Sequence, residues 1–152
     1  MTEIRELLSF KLHRVANLLS RGAELRYRRE FGVSLWEWRT IAFLGRSTEP
    51  MSLGELAQAA SIDKGQMSRV VAGLTKRRLV LREVHPGDGR GVRLTLTKPG
   101  RRIYQGLIRA AAERDAAFRD CLSEKEHAVF DRALAKLAGQ ARDLIQREKA
   151  VK

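Results

Sequence analysis

The stretch MSLGELAQAASIDKGQMSRVVAGLTKRRLVLRE, residues 51–83, holds two short amphipathic helical patterns joined by the tight turn SID. The first pattern covers about 52–60, and its apolar residues recur on one face of a helix. The second covers about 63–77 and follows the spacing i, i+3, i+4 and i+7 with Met67, Val70, Val71 and Leu74. Two short helices joined by a tight turn are typical of a helix-turn-helix.

The spacing S-x-x-E, in which each side chain bonds the other residue's free backbone N–H, marks a helix start. Either Ser61 or Asp63 is expected to cap the helix at 63–77, and Pro50 breaks the chain before residue 52. Apolar periodicity predicts a long helix over 3 to about 30 and two more over about 98–120 and 124–147. The three capping boxes are Ser34/Glu37, Ser52/Glu55 and Ser123/Glu126.

A β-hairpin is predicted after the second short helix. Residues 79–84 are rich in β-branched side chains, and residues 92–97 alternate apolar and polar side chains with the period of a half-buried strand. Glycines 87, 89 and 91 make the tip between them narrow. Thr97 is expected to cap the next helix, with Pro99 in its first turn. A hairpin in this position is a wing.

The chain has 152 residues, 43% of them hydrophobic, which suits one domain or one lobe with oligomerisation helices. Its net charge is +12, and twelve basic but only three acidic residues lie between Asp63 and Arg109. That segment holds +9 in under a third of the chain, whereas a charge serving solubility alone would be spread evenly. We therefore expect a polyanionic partner: DNA, RNA or an anionic membrane surface.

A helical wheel for 63–77 places small and cationic residues opposite the apolar stripe. Arginine favours guanine, glutamine favours adenine, and small residues let the backbone approach a surface. An ordinary solvated face would more often carry Glu–Lys pairs, so we interpret this helix as a recognition helix. Its outer face consists of Gly65, Arg69, Ala72 and Lys76, flanked by Gln66, Ser68 and Gly73.

The predicted wing tip suits the minor groove of DNA, which is only about 6 Å wide. Arg90 is expected to enter that groove and gain from its negative potential. Asp88, two residues earlier, is expected to orient Arg90 or another nearby arginine. The alternative is an ordinary exposed ion pair in a turn, worth less than about 1 kcal/mol.

The segments WRTIAFL (38–44), 51–83 and DGRGVRLTLTKPGRRI (88–103) together resemble the MarR family of winged-helix transcription regulators. The match is ordered and runs from about 34 to 103, with weak similarity in the flanking helices. The resemblance implies a homodimer whose terminal helices intertwine and whose two lobes sit on palindromic double-stranded DNA. The broad apolar stripe of the last helix, about 122–145, agrees, because one small monomer could hardly bury it.

The expected fold class is therefore mainly α with a small β-hairpin wing. Residues 1–33 form an N-terminal dimerisation helix, 34–100 a winged helix-turn-helix lobe, and 101–152 C-terminal dimerisation helices. Gln66 and Gly73 depart from the residue types frequent in the family, so base preference is not carried over. The predicted DNA-binding residues are Ser61, Lys64, Gly65, Gln66, Ser68, Arg69, Lys76, Asp88, Arg90 and Arg93.

Many members of the family bind small aromatic acids or phenols between the dimer helices and the DNA lobe. A cation beside aromatic rings suits an aromatic carboxylate. The competing interpretation is that Trp38 belongs to the core and that Arg39 holds a carboxylate of the protein itself. The predicted effector site comprises Ser9, His13, Arg14, Trp36, Trp38 and Arg39.

No spacing of His, Cys, Asp and Glu resembles a zinc site, and no nucleophile–base pair indicates catalysis. The chain is thus predicted to be no enzyme and to use no metal or cofactor. The single cysteine, Cys121, fits a reducing compartment, and no apolar run approaches a membrane span, so a cytoplasmic protein without a membrane partner is expected.

The sequence thus predicts a sequence-specific, homodimeric DNA-binding regulator, a repressor released by a small ligand. Two alternatives stay open. One is a thiol-based redox switch through Cys121, since exposed thiolates oxidise reversibly. The other is an architectural protein that binds nucleic acid with little sequence preference.

Overall fold

The computed structural model describes residues 3–84 and 91–151, which fall into two compact units, 1–111 and 112–152. A 3-10 turn, Ile4–Glu6, stands where the sequence predicted the first turn of a long helix. In chain order the elements are α1 Leu8–Phe31, α2 Leu35–Arg46, β1 Met51–Ser52, α3 Leu53–Ala60, α4 Lys64–Lys76, β2 Val80–Val84, β3 Val92–Leu96, α5 Lys98–Arg119 and α6 Glu124–Ala150.

All three predicted capping boxes are present and fix the starts of α2, α3 and α6. In the box of α2, the Ser34 N–H donates to Glu37 Oε2 at 2.7 Å and the Glu37 N–H donates to Ser34 Oγ at 3.2 Å. The boxes matter because the first backbone N–H groups of a helix have no partner within it. Local sequence therefore sets these three helix boundaries.

Two different residues cap the two ends of the turn between α3 and α4. Asp63 caps α4, with its Oδ1 accepting from the Gln66 N–H at 2.8 Å. Ser61 instead ends α3 in the left-handed conformation, with φ 55°, and its N–H bonds the carbonyls of the last helical turn. Of the two caps expected for α4, only Asp63 is used.

The sheet has three strands, in the order β1-β3-β2, where the sequence predicted a two-stranded hairpin. The two strands of the predicted hairpin are paired antiparallel, with Val80 opposite Leu96, whereas most of the predicted tip, 85–90, lies outside the described residues. The added strand β1 pairs Met51 with Leu94 and Ser52 with Arg93. Two residues are too short to show an alternating pattern, so this pairing left no signal in the sequence.

The core of the first unit forms where α2, α3, α4 and the sheet meet. Met67, Val71 and Leu74 of α4 are buried, as the apolar stripe predicted. Ile41 and Leu44 of α2 and the buried residues of α3 complete that side of the core. Because α4 buries one stripe here, its opposite face is directed to solvent.

The start of α5 is fixed by Thr97, as predicted: its Oγ1 accepts from the Gly100 N–H at 3.1 Å and donates to the Arg78 carbonyl at 2.7 Å. Gly100 is buried, and a Cβ added to it would collide with the backbone carbonyl of Leu79. This glycine lets the first turn of α5 lie directly against the backbone of Leu79, in the turn between α4 and β2.

The second unit contains the end of α5 and the whole of α6, every residue of which is at least partly exposed. Large apolar side chains nevertheless line α6, including Phe130, 48% exposed, and Leu134, 39% exposed. A groove of about 540 Å³ runs along its first half, lined by Leu122, Lys125, Glu126, Val129, Phe130 and Ala133. In the described part of the chain, no helix is long and apolar enough to cross a membrane.

We expect Gly100→Ala to lower the free energy of unfolding by about 2 kcal/mol or more, because the new methyl group must displace backbone rather than a flexible side chain. Gly22→Ala is the matched control, since Gly22 lies within α1 with open space around its Cβ position. Urea unfolding of both variants checks the difference. Equal stabilities would contradict the close approach of α5 to Leu79.

Candidate nucleic-acid interface

The outer face of α4 is exposed in the structure as the helical wheel predicted. Lys64, Gly65, Ser68, Arg69, Ala72 and Lys76 are all exposed, and Gln66 and Gly73, at the edges of this face, are half-buried. A Cβ on Gly65 would lie 3.1 Å from Asp63 Oδ1, so a glycine here leaves the helix cap undisturbed. The face therefore combines low bulk with positive charge.

None of the three cations Lys64, Arg69 and Lys76 forms an ion pair with another described residue. The acidic residue next to Lys64 in sequence, Asp63, is engaged in capping the helix. Unpaired exposed cations on one helix face make a positive surface that attracts polyanions. The positive charge expected of a recognition helix is thus exposed on the outer face of α4.

A cleft of about 290 Å³ lies between α4, the start of α3 and the sheet. Lys64 and Ser68 line it from α4, and Arg82 lines it from β2. A Cβ on Gly54 would lie 3.6 Å from Lys64 Cε, so the lysine stem extends beside the first turn of α3. The other lining residues are Ser52, Leu53, Gly54, Val71, Gly91, Val92 and Leu94.

Arg82 is the residue that the predicted DNA-binding set omitted. It is exposed and has no acidic partner within 3–84 and 91–151. Strand alternation could have found it, because Arg82 shares a face with the buried Val80 and pairs opposite Leu94. That register directs it into the cleft beside α4.

Arg93, a predicted DNA contact, forms an exposed ion pair in which its Nη1 lies 3.3 Å from Glu55 Oε2. The same carboxylate oxygen accepts from the Ser52 N–H at 2.6 Å in the capping box of α3. The pKa of Glu55 lies below its usual value, mainly because of that backbone hydrogen bond, then the Ser52 side chain, with a smaller contribution from Arg93. The pair therefore ties β3 to the first turn of α3.

Among the other predicted DNA-binding residues, Ser61 is exposed at the left-handed end of α3, just before α4. Asp88 and Arg90, the predicted wing-tip residues, lie outside the described residues. Lys64, Gly65, Ser68 and Arg69 lie together on α4. The roles assigned to these residues stay predictions.

The six residues of the predicted effector site are only partly brought together. Arg39 stacks over the Trp36 ring, with its Cζ 4.8 Å from the ring centroid. Trp38 instead packs on Tyr27, with ring centroids 5.2 Å apart, and belongs to the edge of the core. Neither cavity described above is lined by any of the six. The remaining three, Ser9, His13 and Arg14, are exposed on α1.

Cys121 is exposed, and its Sγ lies 2.9 Å from the Phe118 carbonyl oxygen. Among the residues that the structure describes, no cluster of His, Cys, Asp and Glu could hold a metal ion. The arrangement that stands out chemically is thus the exposed face of α4 with the adjoining cleft. A helix-turn-helix followed by a small antiparallel sheet defines a winged helix-turn-helix protein.

The MarR family model matches residues 31–91 of the chain. The structure is similar to a MarR/EmrR family transcriptional regulator from Acinetobacter sp. ADP1, with 24% identity, 93% of this chain and 99% of that chain covered, and a TM-score of 0.83. It is also similar to Staphylococcus aureus MepR in a complex with DNA, with 18% identity, 88% and 98% covered, and a TM-score of 0.83. A third similar structure is Streptococcus pneumoniae FabT in complex with DNA, with 24% identity, 90% and 96% covered, and a TM-score of 0.77.

No curated protein matches the chain. The family match over residues 31–91, together with the shared fold, nevertheless supports the resemblance to the MarR family of winged-helix transcriptional regulators that the sequence predicted. Members of this family are regulators and not enzymes, as the sequence predicted. The fold class expected from the sequence is likewise confirmed.

The lowered pKa of Glu55 gives a pH prediction with a definite sign. The ionised form stabilises the folded state, and this stabilisation is complete above the usual value of 4.5 and lost as the pH falls through the lower folded-state pKa. Glu55→Gln keeps a capping oxygen but cannot ionise. We therefore expect wild type to exceed this variant in stability at neutral pH and the gap to shrink below pH 4.5.

Urea unfolding at a series of pH values measures this gap. Glu126→Gln should follow the same trend, because hydrogen bonds from Ser123 lower the pKa of Glu126 in the same way. A gap that stays constant across the acidic range would show that the ionised carboxylate contributes nothing to the cap.

Proposed function

We propose that this regulator binds double-stranded DNA sequence-specifically, with α4 in the major groove and the β2–β3 hairpin against the adjacent minor groove. The observation that carries the proposal is the outer face of α4, exposed, built from small side chains and bearing cations without ion-pair partners among the described residues. A helix with small outward residues can approach base edges closely, and α-helices fit the major groove.

Two kinds of contact are assigned within this interface. Gln66, Ser68 and Arg69 are the base-reading residues, because their side chains donate or accept hydrogen bonds at base edges. Lys64 and Arg82, which both line the cleft, are the phosphate-binding residues. The solved complexes of MepR and FabT with DNA, which have a similar fold, support this use of the lobe.

Selection from a pool of random duplexes with the purified protein, at about 150 mM salt, tests the proposal. We expect one palindromic sequence to be enriched, with half-sites about one helical turn apart, because a two-fold dimer presents two recognition helices. Binding without enrichment would overturn sequence specificity and favour an architectural, non-specific protein.

Variants then separate the two kinds of contact on the enriched duplex. Arg82→Gln should weaken binding to all sequences and reduce the salt slope by about one, because one phosphate contact is lost. Gln66→Ala should instead relax preference at particular base pairs. Arg142→Gln, which removes an exposed cation from α6, is the control that should change neither. Identical effects of the two interface variants would contradict this division of roles.

We further propose a homodimer built through the terminal helices. The proposal is supported by apolar side chains left exposed on α1, including Leu18 at 69%, and on α6. Contiguous apolar surface on a soluble protein marks an interaction site, and a second copy of the chain supplies the same surface by two-fold symmetry.

Phe130→Asp should convert the dimer to a monomer in sedimentation velocity experiments, because the new carboxylate would be buried without a partner. Val151→Asp is the control, since Val151 is 80% exposed at the end of α6 and lies outside the groove. A wild-type protein that sediments as a monomer, or a dimer unchanged by Phe130→Asp, would remove this part of the proposal.

The dimer also provides the proposed route to regulation. We propose that the protein is a repressor and that a small aromatic ligand favours a spacing of the two lobes that no longer fits consecutive grooves. The stack of Arg39 on Trp36 supports a site for an aromatic carboxylate, because it presents a cation beside a ring. A ligand that releases the DNA while the distance between the lobes stays unchanged would contradict this mechanism.

A further inference from the structure

An ion pair joins the end of α4 to the start of α2. Arg77 Nη1 donates to Glu37 Oε1 at 3.0 Å, and the side chains are 38% and 18% exposed. Arg77 is the residue that ends α4. The pair links residues 40 positions apart in sequence, so it constrains tertiary geometry and not only the local helix.

The carboxylate of Glu37 serves two bonds at once. Its Oε2 accepts the Ser34 N–H at 2.7 Å in the capping box of α2, while Oε1 is left for Arg77. Because the capping bond already restrains the Glu37 carboxylate, the ion pair with Arg77 costs little additional side-chain freedom. Glu126, in the equivalent position of α6, has no ion pair among the described residues.

The arginine also lies over the turn between α1 and α2. A Cβ on Gly32, which has φ 64°, would be 3.8 Å from Arg77 Nη2. A Cβ on Gly73 would be 4.0 Å from Glu37 Oε1, an ordinary contact distance, so the carboxylate lies beside the last turn of α4. The end of α4 is therefore held at the point where α1 passes into α2.

We infer that Glu37 is a positioning residue for DNA recognition: through Arg77 it fixes the end of the recognition helix relative to α1 and α2. This inference rests on the proposed DNA-binding function. It assigns Arg77 to the joint between the elements and not to the phosphate-contacting set, although Arg77 belongs to the densest basic run of the chain.

The substitutions Glu37→Gln and Arg77→Gln test the joint. Glutamine is accepted in a capping box, so Glu37→Gln retains the start of α2 and removes only the charge that holds Arg77. Each variant should bind the selected duplex about fivefold more weakly, and the double variant should be no weaker than either single one. The salt slope should stay at its wild-type value in all three, because no phosphate contact is lost.

Arg77→Lys, which keeps a cation at the end of α4, should recover part of the lost affinity. Glu24→Gln is the matched control, because it breaks an Arg–Glu pair confined to α1, with Arg28 Nη2 and Glu24 Oε1 2.7 Å apart. It should leave affinity and salt slope unchanged.

A gain in DNA affinity, or a change in salt slope, would overturn the inference. If Glu37→Gln tightens DNA binding, or Arg77→Gln lowers the salt slope by about one, then Arg77 is a phosphate contact that Glu37 restrains. Additive losses in the double variant would also overturn it, because two residues acting through one bond are coupled.

Hydrogen exchange without DNA tests the joint separately from the proposed function. Glu37→Gln and Arg77→Gln should speed exchange about threefold at the last amides of α4, such as Arg77 N–H, which bonds the Gly73 carbonyl at 3.1 Å. The amide of Leu107 in α5 should be unaffected. Unchanged exchange at the end of α4 would overturn the inference that the Arg77–Glu37 pair holds this end of the helix, even if the protein binds DNA. If no sequence is enriched from the duplex pool, the proposed function fails while this measurement still decides the joint.

Discussion

The burial of one stripe of α4 is the constraint on which the rest of the interface depends. Met67 and Leu74 are fully buried and Val71 nearly so, which fixes the rotation of the helix about its own axis. A helix with three residues locked in a core has no freedom to choose which face meets solvent. Packing therefore presents the small and cationic face outward in the free protein. No further conformational entropy has to be lost on DNA binding to orient this helix.

Most of the basic side chains discussed for the lobe lack an acidic partner, but two arginines form ion pairs. Lys64, Arg69, Lys76 and Arg82 have no carboxylate partner in the described part of the chain, whereas two other arginines bind the glutamates of capping boxes. Those glutamates are already oriented by backbone N–H groups, so each can hold an arginine at little entropic cost. The same capping motif that starts a helix thus also connects elements: Glu37 joins α2 to α4, and Glu55 joins α3 to β3.

Local signals in the sequence were sufficient for most of the fold. The three capping boxes, the stripe of α4 and the alternation in β3 each predicted an element, because hydrogen bonding and burial at short range determine them. The third strand escaped prediction because two residues carry no periodicity. The pairing of Arg93 with Glu55 and the position of Arg82 in the cleft also escaped, since both depend on how β3 and β2 lie against the helices. A composition rich in arginine indicates a polyanion but does not tell which arginines are free to bind it.

Photochemical cross-linking to duplex DNA carrying 5-iodouracil tests the central claim most directly, because the iodine replaces the thymine methyl group that faces the major groove. Peptides attached to the DNA can then be identified by mass spectrometry. We predict attachment within α4, on the residues of its exposed face between Lys64 and Lys76. Attachment confined to α6, or to α1, would show that another surface meets the major groove and would contradict the assignment of α4 as the recognition helix.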